Sequence, residues 1–157
     1  MPPLKPGDKA PDFTLLDQNG EKFSLKKSLK EKPVLYLIYF YPKADTPGCT
    51  AQACGLRDIA PQIGDTVVVG ISPDKPAKQA KFDTKYSLGF PLLADEDHAV
   101  AEAYNVWKEK SMYGRKYMGI ERSAFLIDEN GKVLHAWYKI SPKDTPVRLL
   151  EALAPTG

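Results

Sequence analysis

Residues 33–49, PVLYLIYFYPKADTPGC, place a cysteine shortly after a predicted strand and at the start of a predicted helix. The apolar run from residue 33 to residue 40 predicts a buried strand. Thr46 and Pro47 predict a helix start, because threonine is a common N-cap and proline fits the first turn. Cys49 then becomes the third residue of the helix, where unpaired N–H groups and the helix dipole favour a thiolate. The stretch therefore predicts a reactive thiol.

The composition is that of one globular domain, and we expect a single domain over residues 1–157. The chain is 43% hydrophobic and 27% charged, enough to bury a core at this length. A formal net charge of +2, without a long Lys/Arg run, argues against nucleic acid or a membrane surface as a partner. Because the chain shows no signal peptide and its longest apolar run, residues 34–41, is too short to span a bilayer, we expect a cytoplasmic protein.

The order of predicted strands and helices indicates an α/β fold. The strands over residues 33–41 and 66–71 have the near-continuous apolar character of a parallel sheet. Hairpins around Asn-Gly turns are predicted over residues 12–25 and 123–138. Helices are predicted over residues 46–60, 76–86, 99–104 and 144–153. This order predicts a thioredoxin-like fold, with a mixed central sheet flanked by helices and an N-terminal β-hairpin.

The segment from residue 106 to residue 120 gives the weakest pattern, and we interpret it as a flexible loop. Four aromatic residues are expected in the core or in a pocket wall: Tyr104, Trp107, Tyr113 and Trp137.

The chain has two cysteines, Cys49 and Cys54, five positions apart. On an intact helix this spacing separates the Cα atoms by about 8.6 Å, whereas a disulfide needs less than about 7 Å. Either Cys54 has no redox role or the helix unwinds to let it react. Gly48 and Gly55 favour unwinding, since each costs about 1 kcal/mol of helix propensity relative to alanine. Close packing of Gly55 on the sheet is an equally good explanation of that glycine.

A resemblance to a known family rests on the motif P-x-x-x-T-x-x-C, formed by Pro42, Thr46 and Cys49. This is the signature of peroxiredoxins, and residues 41–58, YPKADTPGCTAQACGLRD, closely resemble the Q-type, or bacterioferritin comigratory protein, subfamily. Further similar segments follow in the family's order over nearly the whole chain, at residues 7–13, 70–74, 90–95 and 121–128. The resemblance implies a monomeric thiol peroxidase with a thioredoxin-like fold and no cofactor or metal.

The resemblance also implies a role for five residues. Cys49 would be the peroxidatic cysteine, and Cys54 the resolving cysteine that forms an intramolecular disulfide with it. Arg122 would hold the thiolate and the peroxide, the Thr46 hydroxyl would position the peroxide, and Pro42 would shape the pocket and exclude water. Taken without the family, Arg122 has the pattern of a solvated charge and Thr46 that of a simple cap. The implied partners are a peroxide substrate and a thioredoxin or glutaredoxin as electron donor.

Other classes of protein remain open on the sequence. Two cysteines and two histidines have the composition of a zinc site, but the spacing of His98 and His135 does not support one, and both are expected at the surface. A thiol-disulfide oxidoreductase would usually carry C-x-x-C at the helix start, whereas the spacing here is C-x-x-x-x-C. A non-enzymatic interaction or chaperone role is neither supported nor excluded by the residues.

Overall fold

The computed structural model describes residues 2–154 and contains a central mixed sheet flanked by helices. The strands in this part of the chain are β1 (Thr14–Leu16), β2 (Lys22–Ser24), β3 (Tyr36–Phe40), β4 (Val67–Ser72), β5 (Leu92–Ala94), β6 (Trp107–Met112), β7 (Arg115–Ile120), β8 (Ser123–Ile127) and β9 (Val133–Trp137). The helices are α1 (Leu25–Glu31), α2 (Pro47–Asp58), α3 (Pro76–Tyr86), α4 (Ala99–Ala103) and α5 (Asp144–Leu153), with a short 3₁₀ turn at Ala60–Gln62.

The central sheet has seven strands in the order β2-β1-β5-β4-β3-β8-β9. Strand β3 pairs in parallel with β4 and antiparallel with β8, and β4 pairs in parallel with β5. The hairpins β1–β2 and β8–β9 form the two ends of the sheet. Every residue of β3 and β8 is buried, as expected for strands covered on both faces. The predicted mixed sheet with an N-terminal β-hairpin is confirmed.

Two apolar clusters lie on opposite faces of the sheet and determine where the helices pack. One cluster contains residues of α1 and α4 together with Tyr104 and Phe125. The other contains residues of α2, α3 and α5, including Cys49. Helix α2 buries Cys49, Gln52, Ala53 and Leu56, which recur at the i, i+3, i+4, i+7 spacing of one helical face. The predicted reactive thiol therefore lies on the buried face of α2.

The prediction of a flexible loop between residues 106 and 120 is wrong. This segment forms the hairpin β6–β7, a separate two-stranded sheet that turns at Tyr113 and Gly114, both with positive φ. Tyr113 is 98% exposed, so its expected place in the core or a pocket wall is also wrong. Tyr104 is buried, and the two tryptophans are half-buried. Within residues 2–154, no helix combines the length and apolar character that crossing a bilayer requires.

Candidate active site

The predicted nucleophile, Cys49, is the third residue of α2 and is 1% exposed. Thr46 occupies the N-cap position with extended backbone angles, and Pro47 is the first helical residue, as predicted. The Thr46 hydroxyl donates to the carbonyl oxygen of Lys43 at 2.8 Å, so its proton is directed into the preceding loop. The Thr46 side chain makes no capping hydrogen bond to the helix, so its oxygen lone pairs are available to accept a hydrogen bond. Pro42, four residues earlier, is half-buried in the same loop.

Strand register brings Arg122 to Cys49, although 73 residues separate them. Strands β3 and β8 pair so that Phe40 lies opposite Ser123. Arg122 precedes Ser123 and therefore lies beside the chain as it leaves β3 towards α2. Its Nη1 lies 3.4 Å from Cys49 Sγ, within hydrogen-bond distance for sulfur. A guanidinium is permanently charged, so it supplies a fixed positive group at the buried thiol.

Gly48 gives the guanidinium room to cross the start of α2. A Cβ at this position would lie 3.1 Å from Arg122 Nη2 and 3.5 Å from Pro142 Cγ. The first of these distances is tighter than ordinary van der Waals contact. Gly48 therefore has a packing reason beyond the low helix propensity noted from the sequence.

Gln52 is a further polar side chain of the site, and sequence reasoning missed it. Its side chain is fully buried, and its Oε1 accepts a hydrogen bond of 2.7 Å from Arg122 Nη1. Its Nε2 donates to Thr145 Oγ1 at 2.9 Å, at the start of α5. One signal for Gln52 was present in the sequence, because a residue three positions after Cys49 lies on the same helical face. No comparable signal pointed to Thr145.

The loop between β3 and α2 is held by polar side chains from the end of β4, from the turn that follows β4 and from α3. Asp74 Oδ2 accepts hydrogen bonds of 2.7 Å from both the Ala44 N–H and the Ser72 hydroxyl. The buried Gln79 amide donates to Ser72 Oγ at 2.8 Å and also bonds the Tyr41 hydroxyl. These contacts fix the loop that carries Pro42 and Thr46 before the helix begins.

Asp45 makes a second attachment of this loop to α3. It has a left-handed backbone, with φ of 60°. Its carboxylate accepts from Lys85 Nζ at 2.9 Å and from the Tyr86 hydroxyl at 2.8 Å. The hydrogen bond from Lys85, followed by that from Tyr86, lowers the pKa of Asp45. The loop therefore joins α3 through an ionised carboxylate.

Charged and aromatic neighbours complete the surroundings of Cys49. Burial, followed by repulsion from Arg122, lowers the pKa of Lys110, which extends from β6 of the unpredicted hairpin. Burial raises the pKa of Tyr39 well above its ordinary value, with smaller contributions from Tyr41 and Cys49. The hydroxyl of Tyr39 is buried without a hydrogen-bond partner among the described residues.

Cys54 is half-buried further along α2, and both cysteines are free thiols. The neighbouring Gly55 packs on α5 rather than on the sheet, since a Cβ there would lie 3.1 Å from Pro146 Cγ. The interpretation of Gly55 as a contact with the sheet is therefore wrong. Its closest contact belongs to the helix that also supplies Thr145.

Within residues 2–154 the structure contains no group of three or more His, Cys, Asp or Glu side chains able to hold a metal ion. His98 is the N-cap residue of α4, and His135 lies in β9. His98 stacks on Trp107 with ring centroids 3.9 Å apart, and His135 stacks on Trp137 at 5.1 Å. These pairings give each imidazole an aromatic neighbour.

Comparisons with known proteins show the family and the fold class of the chain. The model of the AhpC/TSA family matches residues 6–136. The chain is 50% identical over 155 residues to a Haemophilus influenzae protein named putative peroxiredoxin bcp, with 98% of both chains covered. Among solved structures, peroxidoxin BcpB from Mycobacterium tuberculosis is similar with a TM-score of 0.83, at 35% identity and with 96% of both chains covered.

A further solved structure belongs to the Xanthomonas campestris bacterioferritin comigratory protein, which is described by its alkyl peroxide reduction activity. It has a TM-score of 0.82 and 34% identity, and the match covers 90% of this chain and 89% of that one. The fold is thus thioredoxin-like, and the protein is an oxidoreductase of the thiol peroxidase class. The chain belongs to the AhpC/TSA family of peroxiredoxins, and its relatives are Bcp peroxiredoxins.

Proposed function

We propose that Cys49 reduces hydrogen peroxide and organic hydroperoxides to water and alcohols. The thiolate attacks the terminal peroxide oxygen, the O–O bond breaks, and the sulfur becomes a sulfenic acid. The leaving oxygen takes up a proton and departs as water or an alcohol. The observation that carries this proposal is the 3.4 Å contact between Arg122 Nη1 and the buried sulfur. The alkyl peroxide activity of the similar Xanthomonas protein supports organic hydroperoxides as substrates.

In this proposal, most of the acceleration of peroxide reduction comes from the side chains around Cys49. At pH 7.4 a thiol of ordinary pKa, about 8.5, is already about 7% ionised, so complete ionisation raises the rate only about 14-fold. Fast peroxide reduction therefore depends on orienting the O–O bond and stabilising charge as it breaks. Arg122 stabilises that charge, and the Thr46 oxygen accepts a hydrogen bond from the peroxide. Pro42 shapes the pocket and keeps water away.

Cys54 resolves the sulfenic acid in the proposed cycle. Its thiol attacks the Cys49 sulfur, a disulfide forms, and water leaves. Because α2 spans both cysteines, its first turns must unwind before the two sulfur atoms can meet. Gly48 and Gly55 make this opening less costly.

A dithiol protein of the thioredoxin or glutaredoxin type then reduces the disulfide by thiol–disulfide exchange. Two electrons pass from the donor's thiols to the Cys49–Cys54 bond, which restores both thiols. We propose that the protein works in the cytoplasm as a monomer, without a cofactor and without a nucleic acid or membrane partner.

Stopped-flow tryptophan fluorescence of the reduced protein mixed with hydrogen peroxide tests the proposal. Trp137 packs against the cluster that contains Cys49 and serves as the reporter. We expect a fast change in fluorescence whose amplitude saturates at one equivalent of peroxide and which is absent in Cys49→Ser. Non-reducing intact mass should then be two hydrogens lower. A reaction no faster than that of a free thiol would contradict the peroxidase assignment.

The matched variant Cys54→Ser tests the resolving step. It should react once with peroxide and stop as the sulfenic acid, which a dimedone adduct would identify by mass. Equal multiple-turnover activity of Cys54→Ser with thioredoxin would show that another thiol resolves the intermediate. Insulin reduction, measured beside peroxide consumption, separates the peroxidase from a general thiol-disulfide oxidoreductase.

A further inference from the structure

The start of α5 packs along one face of α2, and this face includes Gln52, which accepts the hydrogen bond from Arg122. Gly48, Gln52 and Gly55 recur at the i, i+4, i+7 spacing of one helical stripe. Each faces a residue from the segment that begins α5. The pairs are Gly48 with Pro142, Gln52 with Thr145, and Gly55 with Pro146. Both glycines allow a close approach, and the only polar pair of the three lies between them.

Gln52 joins Arg122 to Thr145 in a hydrogen-bond chain that has a defined direction. Thr145 is 1% exposed, and its hydroxyl donates to the carbonyl oxygen of Ser141 at 2.9 Å. A hydroxyl has one proton, so the Thr145 oxygen can only accept from Gln52. The Gln52 amide must therefore direct its NH₂ group to Thr145, at 2.9 Å. Its carbonyl oxygen is left to face Arg122.

The opposite end of the chain requires the same amide orientation. A guanidinium has donors and no acceptor, so Arg122 can bond only the oxygen of the amide. Arg122 Nη1 lies 2.7 Å from Gln52 Oε1 and 3.4 Å from Cys49 Sγ. The nitrogen that contacts the thiol is thus the one that Gln52 holds.

We propose that Thr145 is a positioning residue for peroxide reduction, which acts through the Gln52 amide to hold Arg122 Nη1 against Cys49. This inference rests on the proposed function of Cys49 and Arg122. Thr145 lies on the last helix and makes its contact with Gln52 rather than with the thiol. If the Thr145 hydroxyl is removed, the buried NH₂ group of Gln52 loses its acceptor, and the Gln52 amide loses one of the two hydrogen bonds that fix its orientation.

Thr145→Val tests this role, because it removes the hydroxyl and nearly preserves the shape. We expect the rate constant with hydrogen peroxide to fall about tenfold, and Thr145→Ser to restore most of it. Alkylation of Cys49 by iodoacetamide, which has no O–O bond to orient, should change less than about twofold. Thr84→Val, at an exposed position of α3, is the matched control and should leave both rates unchanged. An unchanged peroxide rate, or an equal loss in both reactions, would overturn the proposal.

A Gln52→Glu background tests the direction of the amide specifically. A carboxylate accepts with both oxygens, so Glu at this position needs no neighbour to orient it towards Arg122. Thr145→Val should then lower the peroxide rate less than about twofold relative to Gln52→Glu alone. A tenfold loss in this background as well would show that Thr145 acts by another route.

Two measurements keep the proposal separate from folding and from the proposed function. If Thr145→Val does not fold, NMR of the unaltered protein tests the proposal through the hydrogen exchange of the side-chain NH₂ group of Gln52. Slow hydrogen exchange supports the buried bond to Thr145, and rapid exchange overturns it. Failure of the unaltered protein to react with peroxide would contradict the peroxidase function itself. If the unaltered protein reacts and Thr145→Val reacts at the same rate, only the positioning role is contradicted.

Discussion

Gly48 and Arg122 are packed so that the guanidinium crosses the first turn of α2 where a side chain is missing. A Cβ on Gly48 would lie 3.1 Å from Arg122 Nη2. Because Nη2 belongs to the same planar group as the Nη1 that contacts Cys49, pressure on one nitrogen moves the other. The glycine therefore belongs to the geometry of the site as well as to the flexibility of the helix.

Gly48→Ala should separate these two roles. We expect the second-order rate constant with hydrogen peroxide to fall on the order of tenfold, because the guanidinium must move away from the new methyl group. The helix itself should gain up to about 1 kcal/mol in propensity, which also slows its unwinding and hence disulfide formation. Stopped-flow fluorescence gives both rates, and thermal unfolding gives the stability. A peroxide rate equal to that of the unaltered protein would contradict the steric argument.

Arg122→Lys should show that geometry matters beyond charge. Lysine keeps the positive charge but lacks the planar fork that reaches the sulfur and Gln52 together. Loss of one preorganised donor at a site of developing charge typically lowers the rate about 100-fold or more, and we expect a loss of that order. The measurement is the peroxide rate constant, with circular dichroism to confirm folding. A rate within about threefold of the original would show that a positive charge alone suffices.

Around the site, the sequence predicted the elements that carry a burial pattern or a helix start signal. Strands β3 and β4 and the start of α2 carry continuous apolar runs or a Thr-Pro start signal, and both patterns follow directly from burial and capping. The hairpin β6–β7 was missed because most of its side chains are exposed, so neither face shows an apolar pattern. Its turn at Tyr113-Gly114 also lacks the Asn-Gly signal that marked the other hairpins.

The residues of the candidate site also fall into two groups, those that a local sequence motif identifies and those that only the tertiary fold brings together. Cys49, Thr46 and Pro42 lie within eight residues of sequence, and a local motif identified them. Arg122 required the family resemblance, because only the pairing of β3 with β8 brings it to the thiol. Gln52 and Thr145 lie 93 residues apart, and each is an ordinary polar residue on its own helix. Their contact depends on how α5 packs on α2, which no local pattern specifies.

Asp74→Ala should loosen the loop that precedes α2. The Asp74 side chain is 8% exposed, and its removal leaves the Ala44 N–H and the Ser72 hydroxyl without their acceptor. Unsatisfied buried donors of this kind cost about 1–3 kcal/mol each, so for two donors we expect the free energy of unfolding, measured in urea, to fall by at least about 2 kcal/mol. Peroxide reduction should slow as well. Asp74→Asn keeps one acceptor oxygen and should recover much of both; if it behaves like alanine, the hydrogen bonds are not the reason.

Asp95 should give the fold a measurable pH dependence. Its carboxylate is 1% exposed and accepts from the N–H groups of Val100 at 3.2 Å and Ala101 at 2.9 Å, at the start of α4. Burial raises the pKa of Asp95 despite these bonds. The folded state then binds the proton more tightly than the unfolded state does, so the stability contribution of this proton is fully present at low pH. It is lost as pH rises from the ordinary carboxyl value, about 3.9, through the raised value.

Comparison with Asp95→Asn isolates this proton, because asparagine does not titrate and the other ionisable groups are common to both proteins. The free energy of unfolding of the original protein, minus that of the variant, should therefore decrease as pH rises from about 3.5 to about 7. Urea unfolding of both proteins across this range provides the measurement. A difference that stays constant with pH would mean that Asp95 titrates alike in the folded and unfolded chains, and an increasing difference would mean that its hydrogen bonds to α4 outweigh its burial.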